Sequence, residues 1–137
     1  MELGHWKFTE GVDLKADAFG FIYLITRLNA LEGEKRYYVG KKQMIFKVRK
    51  KALKGKKRVR LSTKESDWKV YCGSCKELKD DIEKHGEDQF DFSIIRMCNS
   101  KSSLAYEELK EQVYREVLED DEYYNSYIQV RLNKIKT

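Results

Sequence analysis

Phe21-Ile22-Tyr23-Leu24-Ile25 and Tyr37-Tyr38-Val39-Gly40 are two runs of aromatic and β-branched residues, separated by the turn-forming segment from Asn29 to Lys35 around Gly33. Branched and aromatic side chains suit a pleated, half-buried surface, and a short glycine-containing link joins neighbouring strands. The two runs therefore predict an antiparallel hairpin. Downstream, Phe90, Phe92, Ile94 and Ile95 follow Gly86 at near-alternating spacing and predict a third strand. Ser74 stands as an N-cap with Glu77 three residues on, ahead of Leu78, Ile82 and a His85-Gly86 stop, which predicts a short helix. Ser102 or Ser103 opens a long amphipathic helix through about Leu118. Between Met44 and Thr63 apolar positions are sparse and Gly55 interrupts, predicting a helical turn or two and then an extended basic loop over about 44–64. After about residue 126, Ile128, Val130 and Leu132 alternate as a fourth strand or a tail. The fold class that results is α/β of the α+β type: a small antiparallel central sheet of about three strands flanked by helices, in one domain over 1–137.

The 137 residues are enough to bury one core without crosslinks, and 41% hydrophobic with 12% aromatic residues is too apolar for a disordered chain, although 37% are charged. The N-terminus lacks a basic segment followed by an apolar core, and no apolar run is long enough to span a bilayer, so a cytoplasmic protein without a membrane partner is expected. Cys72, Cys75 and Cys98 are an odd number and fit a reducing compartment with free thiols. Cys72-Gly-Ser-Cys75 has the spacing of a zinc or redox pair, but only Cys98 and His85 are left to complete four zinc ligands.

The net charge of +5 is unevenly distributed. Lys41, Lys42, Lys47, Arg49, Lys50 and Lys51 are followed by Lys54, Lys56, Lys57, Arg58 and Arg60 with no intervening acid. Eleven like charges within that span repel one another, so the segment is either a solvated face or meets a polyanion.

The order of Phe-Ile-Tyr at 21–23, Tyr-Val-Gly at 38–40, a basic region, a helix, a strand, a helix with Glu107-Glu108, and Tyr124-Asn125 resembles the GIY-YIG nuclease family. Phe21 replaces the first glycine of that name. Tyr-Val-Gly-Lys-Lys, with Ser66-Asp-Trp68, Tyr71 and Gly73-Ser74, is similar to a subgroup common in bacterial viruses. The resemblance implies an endonuclease that hydrolyses DNA phosphodiester bonds, placed in the host cytoplasm if the source is viral. It implies a glutamate that binds one divalent metal, assigned to Glu108 over Glu107, and a late asparagine that organises the site, matched by Asn125. Mg²⁺ or Mn²⁺ suits one carboxylate completed by waters and phosphate. The family arginine falls at Arg49 by spacing, with Arg58 and Arg60 as the alternatives; a guanidinium grips two phosphate oxygens at once.

Hydrolysis needs an activated water and neutralised phosphoryl charge. Tyr23 or Tyr38, beside the cations Lys41 or Arg49, is the candidate general base, because nearby positive charge favours the phenolate. The competing reading is two core aromatics. Lys42, Lys47, Lys50, Lys51, Lys54 and Lys56 with Lys57, Arg58 and Arg60 are candidate phosphate clamps. Trp68 and Tyr71 would stack on a base or sit in the core, with the core favoured. No appended recognition domain is visible, so specificity would come from the domain, a homodimer or a protein partner. Two other functions compete: a nucleic-acid-binding module of the same fold without cleavage, and a redox or zinc adaptor using Cys72 and Cys75.

Overall fold

A computed structural model of the protein describes residues 3–15, 18–50, 52–57 and 60–129, with the side chains of 48–50, 60 and 61 outside the description. Its strands are β1 (Lys7–Phe8), β2 (Gly20–Arg27), β3 (Tyr37–Gln43), β4 (Ile45–Lys50), β5 (Arg60–Glu65) and β6 (Phe90–Cys98); its helices are α1 (Lys76–His85) and α2 (Lys101–Tyr114). The expected hairpin is present, with β2 antiparallel to β3 and Tyr23 opposite Gly40. β6 pairs antiparallel on the other side of β2. The sheet order is β1-β6-β2-β3. The three expected strands are therefore its antiparallel centre, and the fourth is the short β1, parallel to β6. This makes the sheet mixed, and the fourth strand comes from the N-terminal segment and not from the tail. Residues 126–129 form no strand, and Val130 and Leu132 lie outside the described residues.

Period 2 along β2 divides the apolar residues between two cores. Phe21, Tyr23 and Ile25 pack with Trp6, Trp68 and the α1 residues Leu78 and Ile82. Ile22 packs with Val39, Cys98 and the α2 residue Leu104 on the opposite face. Phe90, Phe92 and Ile94 face the α1 side, whereas Ile95 packs on the other. Ile22 faces Arg96 and Tyr23 faces Ile94, so Ile95 is the extra residue of a bulge. That accounts for the broken alternation in the sequence. Phe21, fully buried between the Trp6 and Trp68 rings, uses its bulk as core filling.

Three local expectations are corrected. β4 and β5 pair as a two-stranded antiparallel ribbon, where a helical turn and loop were expected. The cations disguise the strand pattern: Phe46, Lys47, Thr63 and Lys64 are exposed, and strands with exposed faces show no apolar stripe. The N-cap of α1 is Cys75, and the Ser74 hydroxyl instead meets the Tyr38 hydroxyl at 3.1 Å. α2 is capped two or three residues earlier than expected, with Ser100 Oγ accepting from the Ser103 backbone N–H. It ends at Tyr114, because Glu116 takes a left-handed φ of 54° that drops Val117 into the core. No helix among the described residues is long and apolar enough to cross a membrane.

Candidate active site

Tyr38 and Lys41 are three positions apart on β3, so the pleat sends them to opposite faces of the sheet. They can share a pocket because β3 is an edge strand, around which groups from both faces converge. The cavity there is about 400 Å³ and is lined by Tyr23, Tyr38, Lys41, Glu108 and Asn125, five of the six residues expected to act in catalysis. The sixth, Arg49, stands on β4 opposite Leu61, and Arg60 stands on β5 opposite Lys50. The side chains of Arg49, Lys50 and Arg60 lie outside the described residues, as do Lys51 and Arg58 entirely.

The glutamates of α2 divide by partner. Glu107 pairs with Arg96 at 3.2 Å and Lys110 at 3.5 Å, and Glu111 pairs with Arg96 at 3.1 Å and Arg115 at 2.9 Å. Glu108 points to the pocket instead. Burial pushes its carboxyl pKa up, while the Lys41 charge and backbone N–H pull it back. A half-buried carboxylate facing one cation suits a divalent ion as a hard-oxygen ligand, and the charge of such an ion would reverse that upward shift.

The tyrosines do not have the environment expected of them. Burial, then the neighbouring Tyr38 and Tyr71, lifts Tyr23 well above the ordinary phenol value. Tyr38 is also raised, mainly by burial, with the Ser74 hydroxyl pulling the other way. Both phenols are thus held in the neutral form, and the cations do not overcome desolvation. Tyr23 is 1% exposed, whereas Tyr38 is only partly buried.

Two glycines shape the tyrosine pair. A Cβ on Gly40 would collide with the Tyr23 hydroxyl and its ring carbon. Gly73 has a φ of 90°, and a Cβ there would sit 3.4 Å from both the Tyr23 hydroxyl and the Tyr38 ring. The glycine of the Tyr-Val-Gly motif is thus explained by close approach.

Asn125 lines the pocket with its side-chain amide engaged by the backbone of β3. Its Oδ1 accepts from Val39 N–H at 3.1 Å, and its Nδ2 donates to Val39 C=O at 2.8 Å. Gln112 donates to the same carbonyl at 3.2 Å. Tyr124 N–H adds a bond to Tyr37 C=O, so the 123–125 segment serves as a short partner for the edge of β3. Asn125 and Gln112 together hold the Val39 peptide groups between Tyr38 and Gly40.

Among the expected nucleic-acid contacts, Lys47, Lys54, Lys56 and Lys57 are exposed on the ribbon and its turn. Lys42 pairs with Asp67 at 2.7 Å and lies over the Tyr71 ring. Trp68 is 3% exposed and its indole N–H bonds Glu65, so it belongs to the core and offers no ring face to a base. Sequence reasoning missed Gln112, the Ser74 contact and Tyr127, a 70% exposed aromatic on the pocket rim. Tyr123-Tyr124-Asn125-Ser126-Tyr127 was a visible aromatic signal, but nothing local says which ring faces solvent.

A family model described as "Putative endonuclease segE, GIY-YIG domain" matches residues 6–128. No curated protein and no solved structure matches the chain. The match spans β1 through the Asn125 segment, and with it every element that builds the pocket: the chain belongs to the GIY-YIG family, in its phage-associated segE branch.

Proposed function

We propose that the chain is a metal-dependent endonuclease that hydrolyses DNA phosphodiester bonds in the pocket at the β3 edge. The observation that carries this reading is the selection of Glu108. Of three neighbouring acids on α2, the one without an ion-pair partner among the described residues shares a cavity with Tyr23, Tyr38 and Lys41. Glu108 would hold Mg²⁺ or Mn²⁺, which supplies Lewis-acid stabilisation of the phosphoryl oxygens. Lys41 neutralises charge on the scissile phosphate. Tyr38 takes the proton of the attacking water, since it is the less buried tyrosine and the Ser74 hydroxyl can donate to its oxygen. Its phenolate is a minority form at neutral pH, so the rate rises with pH. Arg49 is the proposed second cation at the phosphate, acting on charge that develops in the transition state. The ribbon lysines clamp the DNA backbone, and Tyr127 replaces Trp68 as the aromatic offered to a base.

The phenols held neutral support a second reading, a DNA-binding module of the same fold that does not cut. A digest of plasmid and branched DNA with Mg²⁺, with Mn²⁺ and with EDTA, repeated with Glu108→Ala, separates them. The nuclease reading expects nicking or linearisation that requires the metal and is lost in Glu108→Ala while DNA binding survives. Undiminished cutting in EDTA or by Glu108→Ala overturns the metal assignment, and binding without cutting of any substrate supports the module.

A further inference from the structure

On the α1 side of the sheet, away from Glu108, three segments bring metal-ligating side chains together. His5 comes from the N-terminal segment, Cys72 from the loop before α1, and Glu87 from the turn before β6. One ligand atom from each lies within 4.8 Å of the others, and no other trio of His, Cys, Asp or Glu among the described residues converges so closely. A tetrahedral zinc ion with bonds of about 2.0–2.3 Å sets its ligand atoms roughly 3.3–3.8 Å apart, within reach of this trio by small side-chain rotations.

The imidazole of His5 carries the second observation. Its Nε2 lies 2.9 Å from the Tyr71 carbonyl oxygen, which only accepts, so Nε2 carries the proton. The ring is stacked on Phe92 at 3.9 Å, which fixes its plane. The other ring nitrogen, Nδ1, lies 2.8 Å from Glu87 Oε1. With the Cys72 thiol sulfur within 4.8 Å, this nitrogen and oxygen complete three donor atoms of the kinds that zinc binds. A histidine that donates one N–H to a backbone carbonyl and turns its other nitrogen to a carboxylate and a thiol is oriented as metal-bound histidines are.

We propose that His5, Cys72 and Glu87 bind one zinc ion through His5 Nδ1, Cys72 Sγ and a Glu87 carboxylate oxygen, with the fourth position left to water. The Cys72 thiol, which donates weakly to the Val70 carbonyl at 3.5 Å, releases its proton to solvent and binds as thiolate; nothing is oxidised or reduced. Cys75 takes no part: its thiol faces the Tyr124 carbonyl at the pocket. Cys98 lies in the α2-side core and His85 beside Arg27, so the four-ligand set open to the sequence does not assemble. Zinc here would tie the N-terminal segment to the loop that carries Tyr71, Gly73 and Ser74, and so stiffen the wall of the pocket.

The test uses untagged full-length protein, so that no tag supplies histidines. Metal analysis and titration with zinc in excess Mg²⁺, which keeps the Glu108 site filled, should give one equivalent per chain, and Co²⁺ should give a tetrahedral spectrum with a thiolate charge-transfer band. Cys72→Ala and His5→Ala should each weaken zinc binding at least tenfold, with circular dichroism reporting the fold, while Cys75→Ala binds as the parent does. Absence of saturable zinc binding, or of the thiolate band, would mean that His5 and Glu87 form only an imidazolium–carboxylate pair and overturns the proposal. Loss of zinc in Cys75→Ala, or its full retention in Cys72→Ala, overturns it equally. Because binding is read without DNA, the result is independent of whether the pocket cuts.

Discussion

The hairpin β2–β3 and the ribbon β4–β5 adjoin in sequence and share the same antiparallel pairing, yet they sit in opposite environments. β2 is flanked on both sides by strands and covered on both faces, with Phe21, Ile22 and Ile25 fully buried. The ribbon is a separate two-stranded sheet that exposes Phe46 and Lys47 and ends in a turn bearing Lys54, Lys56 and Lys57. Burial on two faces yields fixed positions, which a reacting pocket needs. A charged ribbon yields reach and attraction, which a polyanion partner needs, at the cost of self-repulsion. Local backbone geometry is therefore a poor guide to role, and the density of apolar neighbours is a better one.

The sharpest way to break this contrast is to remove single hydroxyls from the buried hairpin. Tyr38→Phe keeps the ring volume and should slow single-turnover cleavage by about a hundredfold or more, the usual size of a general-base contribution. Binding should be unchanged. In the parent the rate should climb about tenfold per pH unit between roughly pH 7 and 9, since burial raises the phenol's pKa and the phenolate stays the minority form there. If Tyr38→Phe cuts normally and Tyr23→Phe does not, the buried tyrosine is the base. If both cut normally, the tyrosines only fill the core.

A smaller effect is expected from Gly40→Ala. The added methyl displaces the Tyr23 hydroxyl and its neighbours on the pocket wall, and misplacement of this order costs about tenfold to a hundredfold in rate. Gly55→Ala in the ribbon turn meets no atom within 4 Å, and although its φ of 81° strains the turn, cleavage should stay within a few-fold of the parent. Equal losses in both would remove the distinction between the two regions.

The ribbon should respond to salt instead. Replacing Lys54, Lys56 and Lys57 together should weaken DNA binding and flatten the log–log salt dependence, by about 0.9 for each phosphate of duplex DNA that is no longer neutralised. Single-turnover cleavage at saturating protein should scarcely change. An unaltered salt slope would show these cations to be only a solvated surface.

The smallest effect concerns stability. Burial raises the folded pKa of Glu108 above its unfolded value, so the unfolded chain gives up this proton more readily. The carboxyl is neutral in both states at low pH, and its ionisation then destabilises the fold increasingly from about pH 4.3, the ordinary glutamate value, up to the raised folded pKa. In EDTA at pH 7, Glu108→Gln should therefore melt at a higher temperature than the parent while losing cleavage. A lower melting temperature would mean that the Lys41 interaction outweighs burial.

Much of this molecule is determined by sequence alone, where a local pattern has one physical solution. The β2–β3 hairpin, the α1 helix and the β6 strand follow from residue order and periodicity, and resemblance singles out Glu108, the glutamate that lines the pocket, over Glu107. The ribbon was hidden because solvated strands carry no apolar stripe, and the α1 cap because Ser74 found a partner 36 positions away. The state of the tyrosines was decided only by tertiary structure: residue order places cations near a phenol, but desolvation by a packed core outweighs them. The same holds for Trp68, whose burial depends on Trp6 and Phe21 reaching it from distant segments. It holds also for His5, which no spacing rule joins to Cys72 and Glu87, because only the docking of β1 along β6 brings the N-terminal segment to that side of the sheet.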